Sequence, residues 1–417
     1  MSTTYVITSL RDIQGLRETE CRADADARTL CSCLLEEDKL AEVNIDREGQ
    51  SILGSIYVGK VKNILKSIDA AFVEIAGGRT CFLPLAQARR PLLTNRTPDG
   101  RLLVGDEILV QVQKEAVKTK DPVLTAKLSL CGKYVCVSLE EKGQIRYSHR
   151  LSESCRHQIA DMLQKIVLPA GVGAVIRTSA QELADFSPLE QELRTLSGQM
   201  ARILQTGKSR TVFSLLTQGV PDYIRRLQDC GRFPDKIITD RLSVFQTLQA
   251  YYQKQAPEKC DAIAFYEDKN LPLSALYGLG GRLAEAFSKH VWLKSGGYLV
   301  MEPTEALTVI DVNSGKHTGK KGMEQTFFLI NQEAALEVAR QLRLRNLSGI
   351  IVVDFINMEE TKANRNLLCC LREICSRDPV PVRVVDMTAL GLVEITRKKR
   401  SRPLAEQLKE AGYLFTG

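Results

Sequence analysis

Two short apolar runs of the sequence each end close to an acid. Residues 307–314 read LTVIDVNS and contain Asp311, and residues 350–358 read IIVVDFINM and contain Asp354. Continuous Val and Ile over this length is typical of a buried β-strand. If the two strands are parallel neighbours, both carboxylates lie at one sheet edge with Asn313 beside them. This oxygen-rich set predicts a site for a hard divalent cation such as Mg²⁺.

A basic, glycine-rich segment follows the first acid. Residues 314–322 read SGKHTGKKG, which lacks the glycine and lysine order of a P-loop. Basic groups beside a cation suit phosphodiester cleavage, because negative charge develops on the phosphate and leaving oxygens. Lys316 and Lys320 are the candidate phosphate contacts. His317 is a candidate general acid, with a loop histidine bonded to backbone as the alternative.

A helix is predicted between the two strands, so that the unit is strand, crossover helix, strand. Met323 to Asn346 has helical composition, with Arg343 in the last turn and Gly349 beyond it as the C-cap residue. A further helix is predicted over Ala363 to Ser376. Before the unit, residues 291–306 indicate two strands around a Gly296-Gly297 turn.

Composition describes a globular chain of 417 residues with 44% apolar content, long enough for two to four subdomains. The net charge of +7 is compatible with a polyanionic partner but does not require one. Basic residues cluster at Lys114–Lys120 and Arg397–Arg402, where a solvated face is an equal explanation. The first residues resemble no signal peptide and no run approaches about 20 apolar residues, so we expect a cytoplasmic protein without a membrane span.

The twelve cysteines are scattered and form no CxxC pair, so most are expected to be small buried hydrophobes, Cys131 and Cys136 included. Cys31 and Cys33 stand at strand spacing, within a predicted strand over Thr29 to Leu35. A structural zinc at this pair is the alternative to burial.

Residues 53–130 consist of short alternating strands separated by Gly and Asp, which predicts a small antiparallel barrel. Tyr57, Phe72 and Phe82 fall on successive strands and are candidate base-stacking residues. Barrel core is the alternative for these rings. Candidate phosphate-tracking residues are the basic side chains Lys60, Lys62, Lys114 and Lys120.

Residues 132–210 contain a predicted helix over Ser187 to Gln205 with a leucine stripe on one side. Before it, Arg177 and Thr178 close an apolar strand. An arginine fork with a neighbouring hydroxyl and backbone amides suits a phosphate, and a surface salt bridge explains the arginine equally well.

Long ordered runs of this sequence resemble the ribonuclease E/G family, the bacterial endoribonucleases of RNA processing and decay. The resemblance covers nearly the whole chain, and its strongest carriers are residues 291–316 (VWLKSGGYLVMEPTEALTVIDVNSGK) and 337–358 (EVARQLRLRNLSGIIVVDFINM). It implies that Asp311 and Asp354 hold a catalytic Mg²⁺ assisted by Asn313. It also implies RNA contacts at Phe72, Phe82, Lys114 and Lys120, and a 5′-monophosphate pocket at Gly132, Cys136, Arg177 and Thr178.

The resemblance further implies a multidomain α/β fold: an RNase H-like subdomain interrupted by an S1 (OB-type) β-barrel and a 5′-sensor region, then a DNase I-like α/β catalytic subdomain. The expected ranges are 1–50 and 211–288 for the RNase H-like subdomain, 51–131 for the S1 domain, 132–210 for the sensor region, 289–400 for the catalytic subdomain and 401–417 for a C-terminal tail.

The sequence departs from the family pattern at a few positions. No Cys-Pro-x-Cys occurs, so the inter-subunit zinc link is not expected, and any homo-oligomer would form without it. Asn357 stands where relatives often carry an aspartate. Asp121-Pro122 replaces a glycine-containing turn, and Pro381, with Arg383 nearby, replaces an arginine of the pocket.

We therefore expect a Mg²⁺-dependent endoribonuclease that cuts single-stranded RNA, and the family resemblance implies products with 5′-phosphate and 3′-hydroxyl ends. The alternative from another class is a non-catalytic RNA-binding protein of RNA or ribosome maturation, suggested by Asn357 and the missing zinc link. A weaker third possibility is a phosphatase or DNA nuclease that uses the same metal site.

Overall fold

The computed structural model describes residues 2–18, 28–49, 51–88, 91–97, 99–115, 121–139, 143–164, 166–230, 232–315, 323–358 and 360–415. Two compact units form, one from residues 1–48 and 230–417 and the other from residues 49–229. No helix in the described ranges is long and apolar enough to cross a membrane.

The strands, in chain order, are β1 Thr3–Ser9, β2 Leu16–Glu18, β3 Thr29–Glu36, β4 Lys39–Arg47, β5 Ile56–Leu65, β6 Ala70–Ile75, β7 Arg79–Pro84, β8 Glu107–Lys114, β9 Val123–Thr125, β10 Ser129–Cys131, β11 Val135–Leu139, β12 Ile145–Tyr147, β13 Val172–Ile176, β14 Leu215–Thr217, β15 Lys236–Thr239, β16 Ile263–Phe265, β17 His290–Trp292, β18 Tyr298–Pro303, β19 Leu307–Asn313, β20 Gly349–Asp354, β21 Val382–Met387, β22 Leu392–Arg397 and β23 Tyr413–Phe415. The α-helices are α1 Glu153–Leu163, α2 Ser187–Gly207, α3 Asp222–Asp229, α4 Leu242–Gln255, α5 Leu273–Leu276, α6 Leu279–Phe287, α7 Met323–Leu344, α8 Thr361–Cys375 and α9 Leu404–Glu410.

The first unit contains a five-stranded sheet in the order β16-β15-β1-β3-β4. Strands β1, β3 and β4 are antiparallel, whereas β15 and β16 run parallel to β1. Seven of the eight residues of β3 are buried, and Cys31 and Cys33 lie in the apolar core with their sulfurs 3.6 Å apart. The two cysteines are therefore core residues, and the described residues hold no group of three His, Cys, Asp or Glu side chains that suits a metal.

The same unit contains a six-stranded sheet in the order β17-β18-β19-β20-β22-β21. Its core face packs against an apolar stripe of α7 that includes Ile330, Ala334 and Val338, and against α8 through Leu367 and Leu371. Apolar residues alternate with exposed ones along β19 and β22, as expected for a sheet covered on one side. The other face, which we call the open face, carries the exposed side chains of Val309, Asp311 and Asp354.

Helix α7 ends in a Schellman motif. Asn346 adopts a left-handed conformation (φ 49°), its N–H donates to Arg343 O, and the N–H of Leu347 donates to Leu342 O. The prediction of Gly349 as the C-cap residue is therefore wrong, because an asparagine accepts the left-handed geometry three residues earlier. The Arg343 side chain is bound by Glu36 and Glu42, each at 2.7 Å, and their charges hold the pKa of the buried guanidinium above its ordinary value despite desolvation.

The end of the chain is part of the first unit's core. Residues 404–415 form α9 and β23, and β23 pairs antiparallel with β2. Leu404, Leu408 and Tyr413 are at most 2% exposed. Burial of these side chains makes this segment structural, where the sequence had suggested a tail.

The second unit contains a closed barrel. Strands follow the order β5-β6-β7-β9-β8, β8 pairs back to β5, and β14 extends the sheet from β5. Gly59 lies at a close approach inside the barrel, where a Cβ atom would be 2.6 Å from Val73 Cγ1. A closed five-stranded barrel of this kind is consistent with an S1-type OB fold.

The rest of the second unit is a four-stranded sheet, β10-β11-β13-β12, packed against α2. Cys131 and Cys136 face each other across β10 and β11 and form a disulfide. The expectation that both cysteines are free and buried is therefore wrong. Directly opposed hairpin positions bring two side chains within bonding reach, and a five-residue separation in the chain does not reveal that pairing.

Candidate functional site

Strands β19 and β20 bring the two predicted carboxylates together. The strands pair in parallel, and their register places Asp311 directly opposite Asp354. The predicted shared edge is thus confirmed. The expectation of continuously buried strands is wrong, because every second residue of β19 from Val309 to Asp311 is exposed. Strand β20 also ends at Asp354, four residues before the predicted limit.

Both carboxylates lie on the open face of the sheet. Both are exposed, since they alternate with buried Ile310 and Val353. Asn313 is two residues beyond Asp311 on the same face, and its Nδ2 donates a hydrogen bond of 2.8 Å to Asp311 Oδ2. This bond orients the Asp311 carboxylate. It uses the amide nitrogen of Asn313 and not its amide oxygen.

The donor set fits a hard cation. Two carboxylates on adjacent parallel strands are separated by one strand spacing, about 4.8 Å between backbones, and all the available donors here are oxygens. Within the described residues the Asp354 carboxylate accepts no hydrogen bond from the protein. The edge therefore holds two acidic side chains by backbone geometry and leaves most of their oxygen lone pairs available.

The segments next to this edge are only partly described. Asn357 is exposed in the segment after β20, and its Oδ1 is close to the turn at Gly391. Lys316, His317 and Lys320 lie outside the described residues, so their predicted roles stay predictions. Gly315 precedes them with φ 66°, and a Cβ atom there would be 2.3 Å from Gly296 O, which explains the glycine.

The barrel presents a stripe of side chains on its outer surface. Phe72 pairs with Phe82, Phe82 with Val123, and Val123 with Lys114, across four strands. The two phenylalanine rings are half-buried, 6.0 Å apart and edge to face. They lie outside the barrel's apolar core, so burial does not account for them.

The other predicted RNA-contacting residues of the barrel differ in their exposure and partners. Tyr57 is 7% exposed and belongs to the core, so its proposed stacking role is wrong. Lys62 is bound to Glu74 at 2.8 Å. Lys114 is exposed, and Lys120 lies outside the described residues. The barrel surface therefore offers two rings and one described lysine in a single row.

Three of the four residues of the predicted phosphate pocket lie together. Arg177 Nη1 donates to Gly132 O at 2.6 Å, and Nη2 binds Asp229 at 2.7 Å. The Thr178 hydroxyl lies 2.9 Å from that of Ser148. Cys136 is next to this group through its disulfide to Cys131. Arg177 thus already holds a carboxylate partner.

A buried glutamate that the sequence reasoning missed supports this pocket. The carboxylate of Glu192 is 9% exposed and accepts hydrogen bonds of 2.7, 2.7 and 2.8 Å from the N–H groups of Lys133, Tyr134 and Val135. A Cβ atom at Gly132 would collide with it. An acid on the leucine stripe of α2, between Leu189 and Leu193, was the available signal.

The basic cluster Arg397–Arg402 is not uniformly a solvated face. Arg397 is 4% exposed, binds Asp378 through two hydrogen bonds of 2.8 and 3.2 Å, and donates to Asn346 Oδ1 at 2.9 Å. This arginine is a structural residue that joins β22 to the end of α7.

Family models match two adjacent stretches of the chain. A model of the ribonuclease E/G family matches residues 129–400, and a model of the S1 RNA binding domain matches residues 52–127. The chain belongs to the ribonuclease E/G family. The matched S1 range coincides with the closed barrel β5–β9, and the family match contains β19, β20 and the four-stranded sheet β10-β11-β13-β12.

Individual relatives extend the match over most of the chain. This chain is 36% identical over 386 residues to ribonuclease E of Nostoc sp., and the match covers 90% of this chain and 55% of the relative. It is 33% identical to ribonuclease G of Haemophilus influenzae, with 90% and 78% covered. Against ribonuclease G of Escherichia coli K12 the identity is 31%, with 86% and 76% covered. The chain therefore spans about half the length of the ribonuclease E relatives it matches.

Proposed function

We propose that this protein is a Mg²⁺-dependent endoribonuclease that cuts single-stranded RNA and leaves 5′-phosphate and 3′-hydroxyl ends. The observation that carries the proposal is the parallel register of β19 and β20, which sets Asp311 and Asp354 side by side on an exposed sheet face. Family membership directs this site toward RNA, because the relatives are named ribonucleases.

Asp311 and Asp354 would hold the metal, and Asn313 would keep Asp311 in one rotamer through its amide hydrogen bond. When bound, Mg²⁺ supplies charge stabilisation to the phosphate oxygens and lowers the pKa of a coordinated water. The exposed placement of the carboxylates gives an RNA backbone access from the open face. Lys316 and Lys320 remain proposed phosphate contacts.

The barrel would hold the RNA strand. Phe72 and Phe82 offer ring faces and edges for base stacking, and Lys114 at the end of the same row would contact a phosphate, with Lys120 as a further proposed contact. Such contacts tolerate many sequences, because every base has a π-face. Single-stranded RNA is therefore the proposed partner, and the cytoplasm the proposed location.

The pocket at Gly132, Cys136, Arg177 and Thr178 would bind the 5′-monophosphate of the substrate. Because Arg177 is already paired with Asp229, a phosphate must compete with that carboxylate. We therefore expect a modest preference for 5′-monophosphorylated RNA. Any homo-oligomer would form without a Cys-Pro-x-Cys zinc link.

The subdomain assignments are also proposals. The order β4-β3-β1-β15-β16, with the first three strands antiparallel and the last two parallel to β1, supports an RNase H-like subdomain built from residues 1–50 and 211–288. The six-stranded sheet with α7 and α8 supports a DNase I-like catalytic subdomain over residues 289–400. Residues 51–131 would form the S1 domain and residues 132–210 the sensor region.

The test is a cleavage assay on 5′-monophosphorylated, A/U-rich single-stranded RNA with Mg²⁺ or with EDTA. We expect cleavage by the wild type with Mg²⁺ only, and loss of cleavage in Asp354→Asn. Asp261→Asn, an exposed aspartate outside the catalytic sheet, is the matched control and should cleave normally. Binding without cleavage in the wild type and Asp354→Asn alike would support the non-catalytic RNA-binding alternative. A DNA strand of the same sequence tests the third possibility.

A further inference from the structure

Three ring side chains gather on the edge hairpin of the catalytic sheet. Trp292 on β17 and Tyr298 on β18 are directly paired, with ring centroids 5.1 Å apart and planes tilted by 50°. His290 lies two residues before Trp292, and its ring centroid is 5.9 Å from that of Tyr298. We call these three residues the aromatic platform.

The aromatic platform lies on the same face as the carboxylates. Trp292, Tyr298 and Asn313 form one cross-strand row, because Tyr298 pairs with Asn313. His290, Val300, Asp311 and Asp354 form the neighbouring row. Directly paired residues share a face of the sheet, and adjacent strands are about 4.8 Å apart. The Tyr298 backbone is therefore one strand spacing from Asn313 and about 10 Å from β20.

Packing of the sheet's own core does not explain these rings. The core-facing residues of the hairpin are the alternate ones, Val291, Leu293 and Leu299, which are at most 8% exposed. Trp292 is 71% exposed, compared with 37% for Phe265 on the other sheet of this unit. Val309 and Ile350, farther along the same face, are 39% and 52% exposed. A large exposed ring side chain packed beside a second ring on an exposed sheet face is a candidate site for a ligand or a partner.

The hairpin that carries the platform is fixed relative to Asn313. The carboxylate of Glu333 on α7 accepts hydrogen bonds from the N–H groups of Lys294 and Ser295 at 2.5 and 3.1 Å. Gly297 packs so closely that a Cβ atom would be 2.7 Å from Asn313 O. These contacts hold the rings in place before a ligand arrives, which reduces the ordering cost of stacking.

We propose that His290, Trp292 and Tyr298 form a base-stacking subsite for a nucleotide next to the scissile phosphodiester. The inference rests on the proposed function, because it places the scissile phosphate at Asp311 and Asp354. A ring platform in line with an oxygen-rich metal edge matches an RNA strand, whose bases lie to one side of its phosphates. The subsite would not discriminate between nucleotide sequences, because its rings can stack on any base. Its contribution is to hold the strand on the open face of the sheet.

Intrinsic fluorescence tests stacking directly, because Trp292 is the single tryptophan of the chain. The full chain in EDTA is titrated with a labelled single-stranded oligoribonucleotide, and the anisotropy of the label and the emission of Trp292 are followed together. We expect emission to be quenched with the same midpoint as the anisotropy change. Saturating anisotropy with unchanged tryptophan emission would overturn the proposal.

Kinetics with Mg²⁺ supply the second test. Trp292→Ala is expected to raise KM for RNA about 5- to 30-fold, equivalent to about 1–2 kcal/mol at 1.36 kcal/mol per tenfold, with kcat less affected. Trp292→Phe keeps a ring and should change KM less than about 3-fold. Phe265→Ala removes an exposed ring from the other sheet of this unit and should leave KM unchanged. An equal KM for Trp292→Ala and the wild type would contradict the subsite.

The two proposals fail in distinguishable ways. Quenching of Trp292 without Mg²⁺-dependent cleavage by the wild type would overturn the proposed function and leave the stacking contact standing. Cleavage with neither quenching nor a KM change would overturn the platform alone. If Trp292→Ala does not fold, as judged by thermal unfolding, the emission of the wild type and the kinetics of Trp292→Phe, Tyr298→Ala and Tyr298→Phe decide the question.

Discussion

The proposed catalytic edge at Asp311 and Asp354 and the proposed phosphate pocket at Arg177 both use polar residues at or beside strand ends, but they differ in what holds those residues in place. At the catalytic edge, strand register alone brings Asp311 and Asp354 together, and Asn313 supplies one hydrogen bond. In the pocket, Arg177 is bound to Asp229 and to Gly132 O, and Glu192 fills a ring of backbone N–H groups. At the first site most carboxylate oxygen lone pairs are available to a ligand. At the second site the polar groups already make hydrogen bonds within the chain.

The two sites therefore differ in how readily their side chains can bind a ligand and in how much those side chains stabilise the fold. A side chain that backbone geometry positions can exchange water for a ligand without disturbing the fold. A side chain bonded to its own chain must first give up those bonds, and its removal costs folding energy. We therefore expect substitutions at the catalytic edge to affect activity, and substitutions around the pocket to affect stability first.

The largest effect should follow Asp311→Asn. Loss of one metal-binding carboxylate is expected to lower kcat/KM about 10³-fold, or roughly 4 kcal/mol of transition-state stabilisation, while the free energy of unfolding changes by less than about 0.5 kcal/mol. Cleavage kinetics and urea unfolding measure the two quantities. A strong loss of stability would contradict the claim that register, and not side-chain bonding, builds this edge.

Next in size is Glu192→Gln, which should cost about 2–4 kcal/mol of unfolding free energy, because an amide cannot accept all three backbone hydrogen bonds made by the buried carboxylate. Urea unfolding measures it. Glu190→Gln on the same helix breaks only the surface pair with Arg194 and should cost less than about 0.5 kcal/mol. Equal losses of unfolding free energy in the two variants would show that the hydrogen bonds from the N–H groups of residues 133–135 to Glu192 do not stabilise the fold.

A smaller effect is expected from Asp229→Asn. Removal of the competing carboxylate should release Arg177 and raise the preference for 5′-monophosphate over 5′-hydroxyl RNA about 5-fold, and Arg177→Ala should abolish the preference. Competition between the two substrates in one reaction measures it. Asp222→Asn, which removes a neighbouring ion pair with Arg225, is the control. If Asp229→Asn lowers the preference, the pair organises the pocket and does not restrain it.

The smallest effect concerns pH and the hairpin behind the catalytic edge. Burial raises the pKa of Glu333, but hydrogen bonds from Ser295 and Lys294 outweigh it, so the folded pKa lies below the ordinary value of 4.5. The stabilisation is therefore full above about pH 4.5 and is lost as pH falls through the folded pKa. Glu333→Gln should remove about 0.5–1 kcal/mol at pH 7 and less at pH 3, measured by unfolding at both values. An equal loss at both pH values would assign the stabilisation to packing.

Much of the local structure could be predicted from the residues. The apolar period and end signals of α7 and α2 gave their positions within two residues. Both strands that carry Asp311 and Asp354 were predicted, as was their parallel pairing, although β20 ends four residues before its predicted limit. These features depend on neighbours in the chain or on one crossover connection. The alternating short strands of residues 53–130 predicted a barrel and the family resemblance assigned it as an S1 domain; the closed order β5-β6-β7-β9-β8 confirms the barrel.

The errors arose where contacts depend on how strands pair or on residues distant in the sequence. Cys131 and Cys136 pair because β10 and β11 turn back on each other, and Asn346 caps α7 while its side chain binds Ser401 and Arg402. Tyr57 could not be told from Phe72 by composition, since the two differ only in which side of the barrel they face. A shift of one residue in strand register exchanges these sides.

The sequence by itself determined which residues could do chemistry: two acids on β-strands, an asparagine beside one of them, and aromatic residues on the strands of a barrel. Only the tertiary structure decided which of these are available. Register set Asp311 opposite Asp354 on an open face and placed Trp292 and Tyr298 on that same face, and internal hydrogen bonds engaged Arg177 and Arg397. The physical reason is that availability depends on burial and on distant partners, which are properties of the packed chain and not of any local run of residues.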